Sequence, residues 1–106
     1  MSVSGSVKRG TTPKHIFTIP FDVSLISDLR ISYGQSGKEI VVKSKKDCTL
    51  DEQTITVVLT QEDTFKFDCT KQVQVQVRVL TLGGEALNSD ILILDVDQCL
   101  NTEVLK

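Results

Sequence analysis

Few side chains in this sequence are of a type that could do chemistry. His15 is the sole histidine among the 106 residues. A general base needs a proton donor within reach, and no Ser, Cys or carboxylate adjoins His15 in the sequence. The expected role is that of a histidine at a strand end. Cys48, Cys69 and Cys99 are spaced far from any zinc-finger pattern. An odd cysteine count without a secretion signal reads as free thiols packed as small hydrophobes. Asp95 and Asp97 fall on one face of a strand, and paired hard oxygens suit calcium. No further oxygen cluster lies close by, so two solvated carboxylates are expected. Lys43, Lys45 and Lys46, followed by Asp47, form a small basic cluster without interleaved aromatics. It reads as a solvated strand end whose lysines block unwanted strand pairing. No catalytic, cofactor-binding or metal-ligating residue is assigned. The chain is expected to be no enzyme and to need no cofactor.

The elements that would carry these residues are strands. Gln72 to Leu80 alternates without a fault, with Val73, Val75, Val77 and Val79 on one side and Gln72, Gln74, Gln76 and Arg78 on the other. That is the period of a strand buried on one face, and β-branched residues favour it. His15 to Ile19 is a second candidate, with Phe17 and Ile19 inward and Pro20 ending the ladder. Phe21 to Ser27 reads as a connection. Leu29 to Tyr33 and Glu39 to Lys43 read as a hairpin around Gly34-Gln35-Ser36-Gly37, the two glycines supplying the positive φ of a tight turn. Thr54 to Leu59 is a strand with Ile55, Val57 and Leu59 inward. Thr60 caps a single helical turn near 60–64, and Glu62 and Asp63 favour its first turn. Phe65 and Phe67 then restore a period of two. Leu82-Gly83-Gly84 is a turn. Ile91 to Val96 is the last strand, apolar on both faces in its first half.

Hydrophobic residues make up 40% and charged residues 25%, as in ordinary globular domains. The length fits one domain with a core that needs no staples. A formal net charge of -2 argues against a dedicated nucleic-acid binder. No apolar run reaches membrane length and the start lacks a signal-peptide core, so folding in the cytoplasm is expected. The expected fold is all-β: an antiparallel β-sandwich of about 6–8 strands, immunoglobulin-like in architecture. A true immunoglobulin domain is rejected, because there is no Trp and Cys48 directly precedes the Thr54–Leu59 strand.

Residues 1–13 have a loop composition and are expected to be a flexible or partner-bound arm. Residues 14–99 form the sandwich, and 100–106 a docking tail. The arm has little to bury beyond Met1, Val3 and Val7. The candidate assembly contacts are Val3, Val7, Arg9, Ile91, Ile93, Leu100, Val104 and Leu105.

Several stretches carry a resemblance that covers about residues 9 to 105. They are Arg9-Gly10-Thr11-Thr12-Pro13, His15 to Asp22, Leu59 to Thr64, Val73 to Leu80, and the tail Cys99 to Leu105. The chain resembles short proteins encoded by phages and prophages of Gram-positive bacteria, mostly clostridia and relatives. Its start, leading through Phe17 and Thr18 to Pro20, is also similar to N-terminal β-modules of phage baseplate proteins. The resemblance implies a small virion component placed among other particle proteins in multiple copies, in the head or in the tail or baseplate. It supplies no catalytic residues. The function expected is therefore non-enzymatic assembly with other virion structural proteins, without a small-molecule substrate, nucleic acid or membrane insertion. The competing reading is a carbohydrate- or receptor-binding β-sandwich. Such sites stack sugar rings on exposed aromatics, and the chain has no Trp and one Tyr.

Overall fold

The computed structural model describes residues 2–4, 7–97, 100–101 and 103–105. In chain order the strands are β1 (Ser2–Ser4), β2 (Val7–Lys8), β3 (Lys14–Thr18), β4 (Ile26–Gln35), β5 (Lys38–Ser44) and β6 (Cys48–Asp51). There follow β7 (Thr54–Val58), the single-turn helix α1 (Gln61–Phe65), β8 (Val73–Thr81), β9 (Ala86–Asn88), β10 (Leu92–Leu94) and β11 (Val96–Asp97). Short 3-10 turns precede β4 and β6. The fold is an all-β antiparallel sandwich, as its alternating strands require. It has more strands than the expected six to eight, because β1, β2, β9 and β11 are each only two or three residues long.

One sheet runs β1-β3-β7-β6. The other runs β10-β8-β4-β5, and β9 also pairs with β8. β9 and β10 lie along the same flank of β8, joined through Ser89. The Ser89 amide donates to the Val77 carbonyl (2.8 Å). The Val77 amide donates to Ser89 Oγ (2.9 Å), so a hydroxyl stands in the ladder where a carbonyl would be. This keeps both buried backbone groups paired across the break in the strand.

The valine ladder faces as its alternation predicts. Val73, Val75, Val77 and Val79 are buried, while Gln74, Arg78 and Leu80 are exposed. Leu29, Ile31 and Tyr33 of β4 and Val41 of β5 continue the same inner face. From the facing sheet come Phe17, Ile19, Ile55, Val57 and Leu59, with Phe67 beside them. The β4–β5 turn differs from expectation in its chemistry. Its positive φ angles belong to Ser36 (52°) and Gly37 (76°), the pair a two-residue hairpin turn requires. Gly34 instead sits inside β4 at a bulge, where a Cβ would come 2.6 Å from the Lys38 carbonyl oxygen. β4 also begins earlier than the alternation suggested, at Ile26, after a 3-10 turn capped by the Asp22 side chain.

The N-terminal stretch departs most from expectation. β1 pairs antiparallel with β3, placing Val3 opposite Phe17. β2 pairs in parallel with β11, placing Val7 opposite Val96. Val7 is 0% exposed and belongs to the chain's own core. The physical reason is local: a single valine can enter the gap between the two sheets when the backbone around it finds β11 to pair with. Fully burying such a side chain is worth about 1.5–3 kcal/mol.

Two outcomes follow. Val75→Asp places a carboxylate in the core and should abolish the folded circular-dichroism signal, whereas Gln74→Lys on the outer face should leave it intact. Val7→Ala should lower unfolding free energy in urea by about 2 kcal/mol. Removal of residues 1–12 should cost at least as much, because it takes β1, β2 and Val7 together. A truncated chain as stable as the full one would contradict this placement.

Candidate functional site

The ionisable side chains that meet inside the molecule come from four separate strands and α1. His15 leaves β3 on the same side as Phe17 and is 0% exposed. Its Nδ1 lies 2.8 Å from Tyr33 Oη of the opposite sheet, a hydrogen bond in which the ring tautomer sets the donor. The two rings are 5.5 Å apart, and Tyr33 packs in turn on Phe67 at 6.1 Å. Burial, then the nearby Cys48 and Asp63, push the Tyr33 phenol above its ordinary range. Cys48, at the start of β6, donates its thiol to the Ser44 carbonyl (3.3 Å). Burial and the Asp47 charge, opposed by Lys43, push that thiol up to about 11.

Lys43 and Asp63 complete the cluster. β5 alternates so that Lys43 points to the same side as Val41, into the sandwich. Its Nζ lies 2.7 Å from Asp63 Oδ2, with side chains 17% and 12% exposed. Asp63 is also the third residue of α1. Its Oδ2 accepts from the Thr60 amide (3.0 Å), and Thr60 Oγ1 accepts from the Asp63 amide (3.0 Å). This reciprocal capping box starts the helix that the Thr60 signal predicts. Burial works against the Asp63 charge. The Lys43 hydrogen bond, the Thr60 amide and the Lys43 charge outweigh it and hold the carboxyl below the usual carboxylate range.

The tyrosine and thiol are held protonated, and the aspartate is committed to a lysine and two capping bonds. Among the described residues, no group of three or more His, Cys, Asp or Glu could hold a metal ion. What the arrangement does is fasten the β5 edge of one sheet to the helical corner leaving the other. The same corner also holds Gly10, Thr11 and Leu105. The Gly10 amide donates to Thr64 Oγ1 (3.0 Å), which donates to the Thr11 carbonyl (3.0 Å). Gln61 forms a two-way bond with the Leu105 backbone, donating to its carbonyl (2.9 Å) and accepting from its amide (2.8 Å).

The eight candidate assembly contacts do not form one surface. Val7 is corrected to a core residue, and Val3 is a half-buried member of β1. Arg9 is also turned inward: its guanidinium lies 5.6 Å from the Phe65 ring centroid, and Nη2 donates to the Phe65 carbonyl (3.2 Å). Its Nε is enclosed without a hydrogen-bond partner. Ile91 and Ile93 are 55% and 56% exposed on the outer face of the sheet. Leu100, Val104 and Leu105 are exposed as well, although the Leu105 backbone is held by Gln61. Of the Lys43, Lys45 and Lys46 cluster, Lys45 and Lys46 are exposed as expected, with Lys45 Nζ donating to the Ile26 carbonyl (3.2 Å), whereas Lys43 is paired inside. Asp95 accepts from Gln72 Nε2 (2.9 Å). Cys48 and Cys69 carry free thiols, while Cys99 lies outside the described residues.

No protein-family model matches the chain, and no curated protein matches it.

Two measurements check the cluster. Lys43→Met leaves Asp63 without its cation and should destabilise the fold by about 2 kcal/mol at pH 7, less than for a fully buried pair because both groups reach some solvent. The depressed Asp63 contributes stability above its unfolded value of about 3.9. That contribution is lost as pH falls through the folded value, so the gap between the two proteins should narrow from pH 4 towards pH 2. A gap independent of pH would contradict the pairing. Cys48 should alkylate about a hundredfold more slowly at pH 8 than a model cysteine peptide, because its thiolate is scarce.

Proposed function

We propose that this chain is a small non-enzymatic structural component of a phage virion or phage-like particle, working by protein–protein assembly in multiple copies. The observation that carries this reading is the exposed apolar pair Ile91 and Ile93 on a sheet edge that no described strand covers. Isolated exposed apolar residues are ordinary, but a row of them on an unpaired edge is a surface built to be covered. The exposed Leu100 and Leu105 add to it. The aromatic rings favour this reading over sugar recognition. Phe17, Tyr33 and Phe67 are buried and Phe21 and Phe65 half-buried, so none stands free for a sugar to stack on. The resemblance to short proteins of phages and prophages supports partners among other virion proteins, with folding in the host cytoplasm before incorporation. Among the described residues no helix is long and apolar enough to cross a membrane.

Detection in purified particles tests the proposal. Particles induced from a strain carrying the gene should contain the protein in multiple copies by quantitative mass spectrometry after density-gradient purification. The isolated protein should be a monomer or small oligomer by light scattering. Its absence from gradient-purified particles, with normal amounts in the lysate, would overturn the reading.

A further inference from the structure

The outer face of the β4–β8 pair carries a charge arrangement that strand pairing ordinarily avoids. Arg30 of β4 and Arg78 of β8 stand directly opposite each other in the register, both exposed. Like charges directly opposed across a ladder are destabilising. One carboxylate answers them. Asp28 Oδ1 accepts from Arg30 Nη1 (2.7 Å), and the same nitrogen donates to the Leu29 carbonyl (2.7 Å). Arg78 meets no carboxylate among the described residues; its Nε donates to Asn88 Oδ1 of β9 (3.1 Å). A guanidinium holds five N–H donors. Arg30 Nε and Nη2, and both terminal nitrogens of Arg78, therefore keep donors with no protein acceptor among the described residues.

The two arginines line one shallow groove of about 290 Å³, together with Asp28, Leu80, Ala86 and Asn88. Two guanidiniums against one carboxylate leave the walls with a single positive charge. Lys45, whose Nζ turns to the Ile26 and Ser27 carbonyls, and Glu85, next to Ala86 in the chain, stand outside the lining and offset each other. That balance decides the ligand. A carboxylate brings one negative charge and matches a guanidinium fork with two parallel bonds. A phosphate group carries about −1.5 to −2 at pH 7 and would set the excess beside Asp28. Asn88, its oxygen already on Arg78, presents its NH2 as a further donor. Leu80, 42% exposed, pairs with Ala86 next to the arginines and gives the groove an apolar wall.

We infer that this groove receives a glutamate or aspartate side chain of another protein, set beside an apolar residue that packs on Leu80. This rests on the reading that the chain assembles with other proteins, and it names the chemistry of one contact.

Titration of the isotopically labelled full chain with two synthetic peptides tests it. One is Ser-Leu-Glu-Leu-Ser with blocked ends, and the other has Gln in place of Glu. The acidic peptide should shift the amide resonances of residues 28–30, 78–80 and 86–88 and the Nε–H signals of both arginines. It should bind at least fivefold more tightly than the neutral one. Arg78→Gln should abolish that preference with an unchanged circular-dichroism spectrum. Lys14→Gln, which removes an exposed cation from the other sheet, should leave the preference intact. Asp28→Asn, which removes the competing carboxylate, should tighten the acidic peptide at least threefold. Equal binding of the two peptides, shifts confined to another face, a preference that survives Arg78→Gln or is lost with Lys14→Gln, or no tightening with Asp28→Asn would overturn the inference. So would inorganic phosphate binding more tightly than the acidic peptide, since the groove would then be a phosphate site. A dimer of the free protein that Arg78→Gln dissolves would overturn it as well, because the occupant would be a second copy. The titration reads the groove whether or not the protein enters particles. A flat titration therefore removes this inference alone, and absence from particles removes the virion reading alone.

Discussion

The four inward valines of β8 can leave water only if a second apolar layer lies over them. One sheet has no inside, and a strand with one greasy face forces the chain to supply a facing sheet. That demand accounts for the order of the rest. Leu29, Ile31 and Tyr33 widen the first layer, and Phe17, Ile19, Ile55, Val57 and Leu59 build the second. Each strand is too short to bury much by itself, so the apolar contribution comes from stacking the two layers rather than from any one pairing.

A two-layer core leaves its open sides and corners to be closed, and this chain closes several with polar groups. His15 and Tyr33 join the layers through one hydrogen bond in the interior. Lys43 and Asp63 tie a sheet edge to α1. Each of these groups loses hydration on folding and regains it only with its partner in place. Such contacts add less net stability than the valines but are intolerant of misplacement. They fix how one sheet sits on the other, which an apolar interface alone leaves loose.

Strand faces were legible because alternation is a local signal. The valine ladder, the Phe17 and Ile19 face, the Ile55 to Leu59 face and the Thr60 cap all follow from residues within a few positions of one another. The interior cluster was not legible in that way, since His15, Tyr33, Lys43, Cys48 and Asp63 meet through the packing of the sheets. One trace of it was present: Lys43 shares the parity of Val41, which already placed an ammonium inside and demanded a carboxylate. The fate of the N-terminal stretch was hidden for a related reason. A lone Val7 among polar residues carries no periodicity, and its burial depends on β11, some ninety residues further along the chain. The two-sided apolar run at Ile91 to Leu94 was legible as an excess, and the structure divides it into an inner pair and an exposed pair.

The parallel pairing of β2 with β11 has a mechanical consequence. Backbone bonds run from the Val7 amide to the Asp95 carbonyl (3.4 Å) and from the Arg9 amide to the Asp97 carbonyl (3.1 Å). Tension transmitted through the chain before Val7 and after Asp97 draws two parallel neighbours in opposite directions along their own length. The hydrogen bonds between them are then sheared together instead of peeled one after another. A module strung between two anchors would meet a pulling force first at β1 and at the Leu105–Gln61 bonds and then at this clasp, and the valine core behind it would feel the load only after the clasp had slipped.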